Sequence, residues 1–195
     1  TFTRQKFSKG KESTFAMIKP DVYVHTGKIM DSIYKSGFII SQLRMGRFSN
    51  FQAQKFAEID PQQHSGNATQ FLSSDVCTGM EIVGEDSVKK WQGLAGPADA
   101  VQAKVSAPNS LRSVFGTDGL RNAVHGSSSA KQKKAEMDLF FGELGTTALL
   151  NNCTCCVIKP HIVKAGLAGQ IIDTILEEGF EISAMQMFNL DRPTA

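Results

Sequence analysis

Gly27-Lys28-Ile29-Met30-Asp31-Ser32-Ile33-Tyr34-Lys35-Ser36-Gly37-Phe38-Ile39-Ile40-Ser41 returns later in the chain as Gly169-Gln170-Ile171-Ile172-Asp173-Thr174-Ile175-Leu176-Glu177-Glu178-Gly179-Phe180-Glu181-Ile182-Ser183. In each stretch the apolar positions (Ile29, Met30, Ile33, Tyr34; Ile171, Ile172, Ile175, Leu176) fall on one face of a helix. Gly37 and Gly179 follow the last apolar pair, where a helix end commonly takes a left-handed residue. The β-rich segments Phe38–Met45 and Phe180–Met187 then read as strands. Ahead of each stands Ile-Lys-Pro, at Ile18-Lys19-Pro20 and Ile158-Lys159-Pro160. Each closes a short apolar run suited to a buried strand, Thr14–Lys19 in the first copy and the run through Cys156-Val157-Ile158 in the second. Each copy therefore opens strand–helix–strand. The offset is 140 at the first motif (158 − 18) and 142 at the second (169 − 27), so the second copy carries a two-residue insertion between them. A period this long means tandem domains rather than solenoid repeats. The expected organisation is a tail over 1–13, a first domain over 14–145, a linker over 146–152, and the start of a second domain over 153–195. That second copy reads as cut short.

The bulk composition suits a soluble chain with a real core, 41% apolar and 21% charged, at a net charge of +2. That balance gives no argument for nucleic acid, and the one basic cluster, Lys131-Gln132-Lys133-Lys134, reads as a solvated helix face. No run approaches the ~18 apolar residues of a membrane span. No signal peptide is visible, and Thr1 suggests a start further upstream. The cysteines at 77, 153, 155 and 156 lack a second pair at zinc spacing, so no metal site is expected. Three of them read as strand thiols, a usage that fits a reducing compartment.

Beyond the first strand–helix–strand, the pattern predicts helices over 50–59 and 67–74, a strand over Val76–Val83, and a helix over 86–93. Loop to Asn109, a helical turn at Leu111–Phe115, a glycine-rich segment to His125 and a helix over 129–141 complete the first copy. Few strands separated by helices indicate α+β with a small antiparallel sheet.

The densest polar constellation is Arg121-Asn122-Ala123-Val124-His125-Gly126-Ser127-Ser128-Ser129. A neutral imidazole is a competent nucleophile once something fixes its tautomer, and Glu136 is placed on the following helix to reach back to His125. Gly126 would admit a ligand close to the backbone, and the serines would offer hydroxyls and N–H groups to an anion. Spacing alone leaves a plainer reading open, a loop with a surface histidine ahead of a serine-capped helix. Lys19 and Arg112 are similarly ambiguous between phosphate contacts and structural roles.

Taken together, Ile18-Lys19-Pro20-Asp21 and Arg121-Asn122-Ala123-Val124-His125-Gly126-Ser127-Ser128-Ser129 resemble the first-strand and catalytic motifs of the nucleoside diphosphate kinase family. The order and spacing hold over 14–142. The tandem arrangement is similar to ciliary members of that family. The resemblance implies a ferredoxin-like βαββαβ core and transfer of a γ-phosphate through phospho-His125 to a nucleoside diphosphate, with Mg²⁺ carried on the nucleotide phosphates. By position, Glu136 and Ser127 would support His125, and Lys19, Arg112 and Asn122 would contact phosphates or ribose. It also implies a cytoplasmic, axonemal setting with tubulin and other axonemal microtubule proteins as partners. Family members build from dimers, so the two copies are candidates to pair with each other.

The departures are specific. The family's active-site tyrosine falls on Phe56, its base-stacking phenylalanine on His64, a phosphate-binding arginine on Lys89, a phosphate-contacting threonine on Ala95, and the motif's aspartate on Ser128. Lys89 keeps the charge without the bidentate fork. The nucleophile is kept while the nucleotide clamp is eroded, which implies weak nucleotide binding. The competing expectation is a weakly active or inactive structural module bound to axonemal microtubules. The second copy keeps Lys159, has His161 in place of Asp21, and holds no equivalent of His125.

Overall fold

The computed structural model describes residues 11–60 and 66–190. Its centre is a four-stranded antiparallel sheet of β1 (Lys11–Ile18), β2 (Ile39–Arg47), β3 (Val76–Glu85) and β4 (Val124–Gly126), in the order β2-β3-β1-β4. A 3₁₀ segment, Pro20–His25, leads into α1 (Thr26–Lys35), which connects β1 to β2. α2 (Asn50–Ile59) and α3 (Gly66–Leu72) lie between β2 and β3, and α4 (Ser87–Ala95), α5 (Ala100–Ser106) and α6 (Leu111–Phe115) between β3 and β4. α7 (Ala130–Glu143) follows β4, and α8 (Pro160–Lys164) and α9 (Ala168–Glu177) belong to the second copy. This is the α+β ferredoxin-like architecture expected from the sequence.

Strand alternation divides the core into two layers. Ala16 and Ile18 of β1 turn toward α1 and α4, with Ile29, Ile33, Ile40, Met80, Ile82 and Trp91. Phe15 and Met17 turn the other way, toward Phe48, Phe56, Leu72, Leu139 and Phe140. With both faces covered, β1 must be apolar throughout its buried half, which is why Phe15–Ile18 shows no polar alternation. Ser49 and Gln52 form a reciprocal capping box on α2.

Three expectations need correction. Residues within the stretch read as loop, 100–106, form α5, because Asp99 caps its N-terminus by accepting from Val101 N and the Ala100 and Ala103 side is buried. The segment leading to His125 contains a strand, β4, too short for periodicity to reveal. In the second copy no strand forms among the described residues at 153–158 or 180–187; Cys153, Cys155 and Cys156 are exposed, and only an isolated bridge at Gln186 appears. The two strands that flank β1 have no counterpart in these 195 residues, so the second copy's first segment finds no ladder to join.

The second copy instead packs on the first. Met45 N donates to Met185 O (2.7 Å) and Met187 N to Leu43 O (2.9 Å), extending the sheet edge at β2. Tyr23 Oη accepts from Ile182 N at 2.7 Å and donates to Ile182 O at 3.2 Å. α9 lies on α1 with Ala168, Gly169 and Ile172 buried.

Candidate active site

β4 presents its residues alternately. Val124 and Gly126 turn into the α1/α4 layer, and a Cβ on Gly126 would lie 1.8 Å from Trp91 Nε1. The glycine thus admits the indole of Trp91, not a ligand as its place beside His125 suggested. His125 turns to the opposite layer, where its ring lies 5.1 Å from Phe56 and 6.2 Å from Phe15 by centroid. It is 3% exposed, which excludes the surface-loop reading. Ala123, at φ +68°, turns the chain into the strand, its N–H donating to Asp21 Oδ2 at 3.0 Å and its carbonyl accepting from Lys19 N at 2.9 Å. A left-handed alanine is held only where its surroundings over-determine it.

Glu136 reaches His125 as expected, with Oε1 2.7 Å from Nε2. The carboxylate also accepts from Ser127 Oγ and, at 2.8 Å, from Gln132 Nε2. An ionised carboxylate is acceptor only, so Nε2 is the donor and the imidazole's second nitrogen, Nδ1, is the one left for chemistry. The serines do not form an anion receptor. Ser127 is spent on Glu136, Ser128 Oγ donates to Gln132 Oε1 at 2.6 Å, and Ser129 caps α7 by accepting from Gln132 N.

Lys19 is 1% exposed at the end of β1 and does not snorkel; its Nζ donates to Leu120 O at 3.4 Å and stands 6.0 Å from the Phe71 ring centroid. Burial, and next the charge of Arg112, lower its pKa to about 8. Arg112 donates to Gly96 O (2.8 Å) and Val124 O (3.0 and 3.3 Å), fastening α6 to β4. Burial lowers its pKa, while the charge of Asp60 opposes that. Asn122 Nδ2 donates to Ala98 O (2.7 Å) and Gly119 O (3.3 Å), and its buried Oδ1 has no hydrogen-bond partner among the described residues. Phe56 packs directly on the His125 ring. Lys89 is exposed on α4 and makes no hydrogen bond or ion pair with this group among the described residues. His64 lies outside the described residues.

Sequence reading missed Asp60. This buried residue caps the C-terminus of α2 and places Oδ2 3.2 Å from His125 Nδ1. The only hint was its place just before Pro61, where the family pattern fades. Burial alone would push the His125 pKa down; the charge of Glu136 and the Asp60 carboxylate beside Nδ1 outweigh it and hold the pKa above its usual value. The basic cluster also departs from a solvated face, since Lys133 is partly buried and paired with Glu81 at 2.7 Å. No group of three or more His, Cys, Asp or Glu side chains that could hold a metal occurs among the described residues. No helix among them is long and apolar enough to cross a membrane.

The sequence profile described as nucleoside diphosphate kinase matches residues 12–145 and 152–195. The chain belongs to the nucleoside diphosphate kinase family. Nucleoside diphosphate kinase homolog 7 of Rattus norvegicus is 42% identical over 200 aligned positions, covering 98% of this chain and 50% of that protein. This kinase-family chain therefore spans about half the length of the homolog 7 relatives it matches. The nucleoside diphosphate kinase of Aquifex aeolicus is 34% identical and covered over 96% of its length by 68% of this chain. A crystal structure of the Aquifex enzyme superposes with a TM-score of 0.63 at 33% identity, again over 68% of this chain and 96% of the enzyme. The family match and His125 thus meet in the first copy.

Proposed function

We propose that the first copy is a nucleoside diphosphate kinase, moving the γ-phosphoryl group of a nucleoside triphosphate to a nucleoside diphosphate through phospho-His125. The observation that carries this reading is the Glu136–His125 bond at Nε2, which leaves Nδ1 as the attacking nitrogen. In the first half-reaction the Nδ1 lone pair attacks the γ-phosphorus, the P–O bond to the β-phosphate breaks, and the diphosphate leaves. The second half-reaction reverses these bond changes toward a new diphosphate. Phosphoryl transfer depends mainly on positioning and neutralising charge. Lys19 supplies buried and Arg112 partly buried positive charge, and the buried Oδ1 of Asn122, without a hydrogen-bond partner among the described residues, suits a ribose hydroxyl. Mg²⁺ would enter as part of the nucleotide substrate and would neutralise phosphate charge.

The test is incubation with γ-labelled ATP. Acid-labile label that discharges to GDP and is absent in His125→Ala supports the reading; label that persists in His125→Ala overturns it. A second reading, a weakly active or inactive structural module bound to axonemal microtubules in the cilium, is supported by the loss of the tyrosine hydroxyl at Phe56 and by the exposure of Lys89 on α4. Co-sedimentation with taxol-stabilised microtubules tests it, and a chain left wholly in the supernatant would count against it.

A further inference from the structure

His125 has a carboxylate at each ring nitrogen, Glu136 at Nε2 (2.7 Å) and Asp60 at Nδ1 (3.2 Å), with both acids buried. A carboxylate accepts and does not donate, so two of them favour the imidazolium, which has no lone pair with which to attack phosphorus. Asp60 also carries its negative charge where Lys19 and Arg112 both feel it. These are the two cations best placed to meet nucleotide phosphates. Among the described residues the charged groups paired with His125 are Asp60 from the end of α2 and Glu136 from α7.

We propose that Asp60 is a built-in occupant of the terminal-phosphate position, latching Nδ1 of His125 until the phosphate of a nucleoside triphosphate displaces it. This rests on His125 being the phosphoryl acceptor. As the triphosphate enters, the Asp60 carboxylate withdraws and the Nδ1 proton passes to solvent. The freed lone pair then attacks the γ-phosphorus, and the bond to the β-phosphate oxygen breaks with release of the diphosphate. Asp60 sits at the C-terminal end of α2, while Glu136 is fixed by Ser127 and Gln132.

The test compares wild type with Asp60→Asn and Asp60→Ala in three measurements. Asp60→Asn should take label from γ-labelled ATP at least tenfold faster. Binding of Mg²⁺ with a non-transferable imido analogue of ATP, by calorimetry, should tighten by a similar factor. Nitrogen NMR of the His125 ring should show its titration midpoint falling in Asp60→Asn, and the analogue should remove the Nδ1 proton signal in wild type. Slower or unchanged labelling together with an unmoved midpoint would overturn the latch and make Asp60 a supporting residue. If neither protein takes label while binding and NMR respond as stated, the kinase reading fails and the latch stands as a plug in a phosphate site.

Discussion

Arg44 pairs with Gln186, and the two hold the same place in the two copies, 142 residues apart (186 − 44). The same offset maps Leu43 onto Met185 and Met45 onto Met187, and the flanking bonds cross between those pairs: Met45 N to Met185 O, and Met187 N to Leu43 O. Reciprocity of this kind marks a two-fold interface, in which residue i meets the equivalent of j and j the equivalent of i. The chain thus makes within itself a contact of the type that otherwise joins two subunits. α1 and α9 continue it, since a Cβ on Gly27 would lie 2.3 Å from Asp173 N and one on Gly169 would lie 2.5 Å from Asp31 N.

Gly27→Ala and Gly169→Ala should each destabilise the chain by about 1–3 kcal/mol, because a methyl group must push two helix backbones apart. Urea unfolding measures the cost. Amide exchange at Met45 and Met187 should quicken in the same variants. Unchanged unfolding and exchange would mean that the helices do not cross this closely in solution.

Glu136→Gln keeps the size of the side chain but lets the amide donate toward Nε2, so the ring is no longer held in one tautomer. Formation of phosphohistidine should fall by about 10²-fold or more. Glu136→Ala should also lose roughly 3–5 kcal/mol of stability, since it leaves Ser127, Gln132 and His125 without their buried acceptor. A Glu136→Gln variant as fast as wild type in single-turnover labelling would remove Glu136 from the mechanism.

His125 titrates above its usual value in the folded chain. The proton-linked stability is fully present below the unfolded pKa of about 6.5 and is lost as pH rises through the folded value. Denaturant midpoints should therefore decline from neutral toward about pH 8, above which Lys19 acts in the opposite sense, and His125→Gln should flatten that part of the profile. A wild-type profile level over this window contradicts the two-carboxylate clamp.

How far the sequence disclosed this molecule follows from what periodicity registers. The repeated helix faces and the glycines after them were legible because a buried face imposes spacing over several turns; Gly37 and Gly179 stand at φ +77° and +82°. The meeting of His125, Ser127 and Glu136 was legible through motif order. β4 was not, because three residues carry no period, and its inward histidine follows from pairing Met17 with His125. Asp60 was hidden for a different reason: its partner lies 65 residues away (125 − 60), and no local pattern marks a carboxylate that folds back over an imidazole. The serines misled as anion donors because cap and receptor use the same residue types, and only the positions of Glu136 and Gln132 decide between them.

Lys19 has its folded pKa lowered to about 8. Carrying it charged costs stability below that pH, and the cost is relieved as pH rises from about 8 toward its ordinary value. Lys19→Met should accordingly be more stable than wild type at pH 7, by roughly 1–3 kcal/mol, while binding Mg²⁺–nucleotide more weakly. Wild-type affinity should fall as pH passes about 8, and the variant's should not. A trade of stability for function of this kind is expected where a charge is buried to meet a ligand. Titration calorimetry across pH 7 to 9 reads both proteins, and parallel curves would show that Lys19 does not meet the phosphates.

Gly126→Ala tests whether packing on one face of β4 positions the nucleophile on the other. The added methyl group would meet Trp91 Nε1 at 1.8 Å and Cδ1 at 2.2 Å. Trp91 is 1% exposed and set edge-on to Phe38, with ring centroids 6.5 Å apart, so the indole has little room to retreat. The strand must lift instead, carrying His125 away from Glu136. Displacements of about 1 Å at a reacting group cost on the order of 10²-fold in rate, so labelling should fall by about that factor, with about 1–3 kcal/mol lost in stability. Trp91 is the sole tryptophan, so its emission should shift to longer wavelength as the contact opens. Slow labelling with an unmoved emission spectrum would place the fault elsewhere than at Trp91. Labelling at the wild-type rate would show that β4 absorbs the methyl group without moving its histidine.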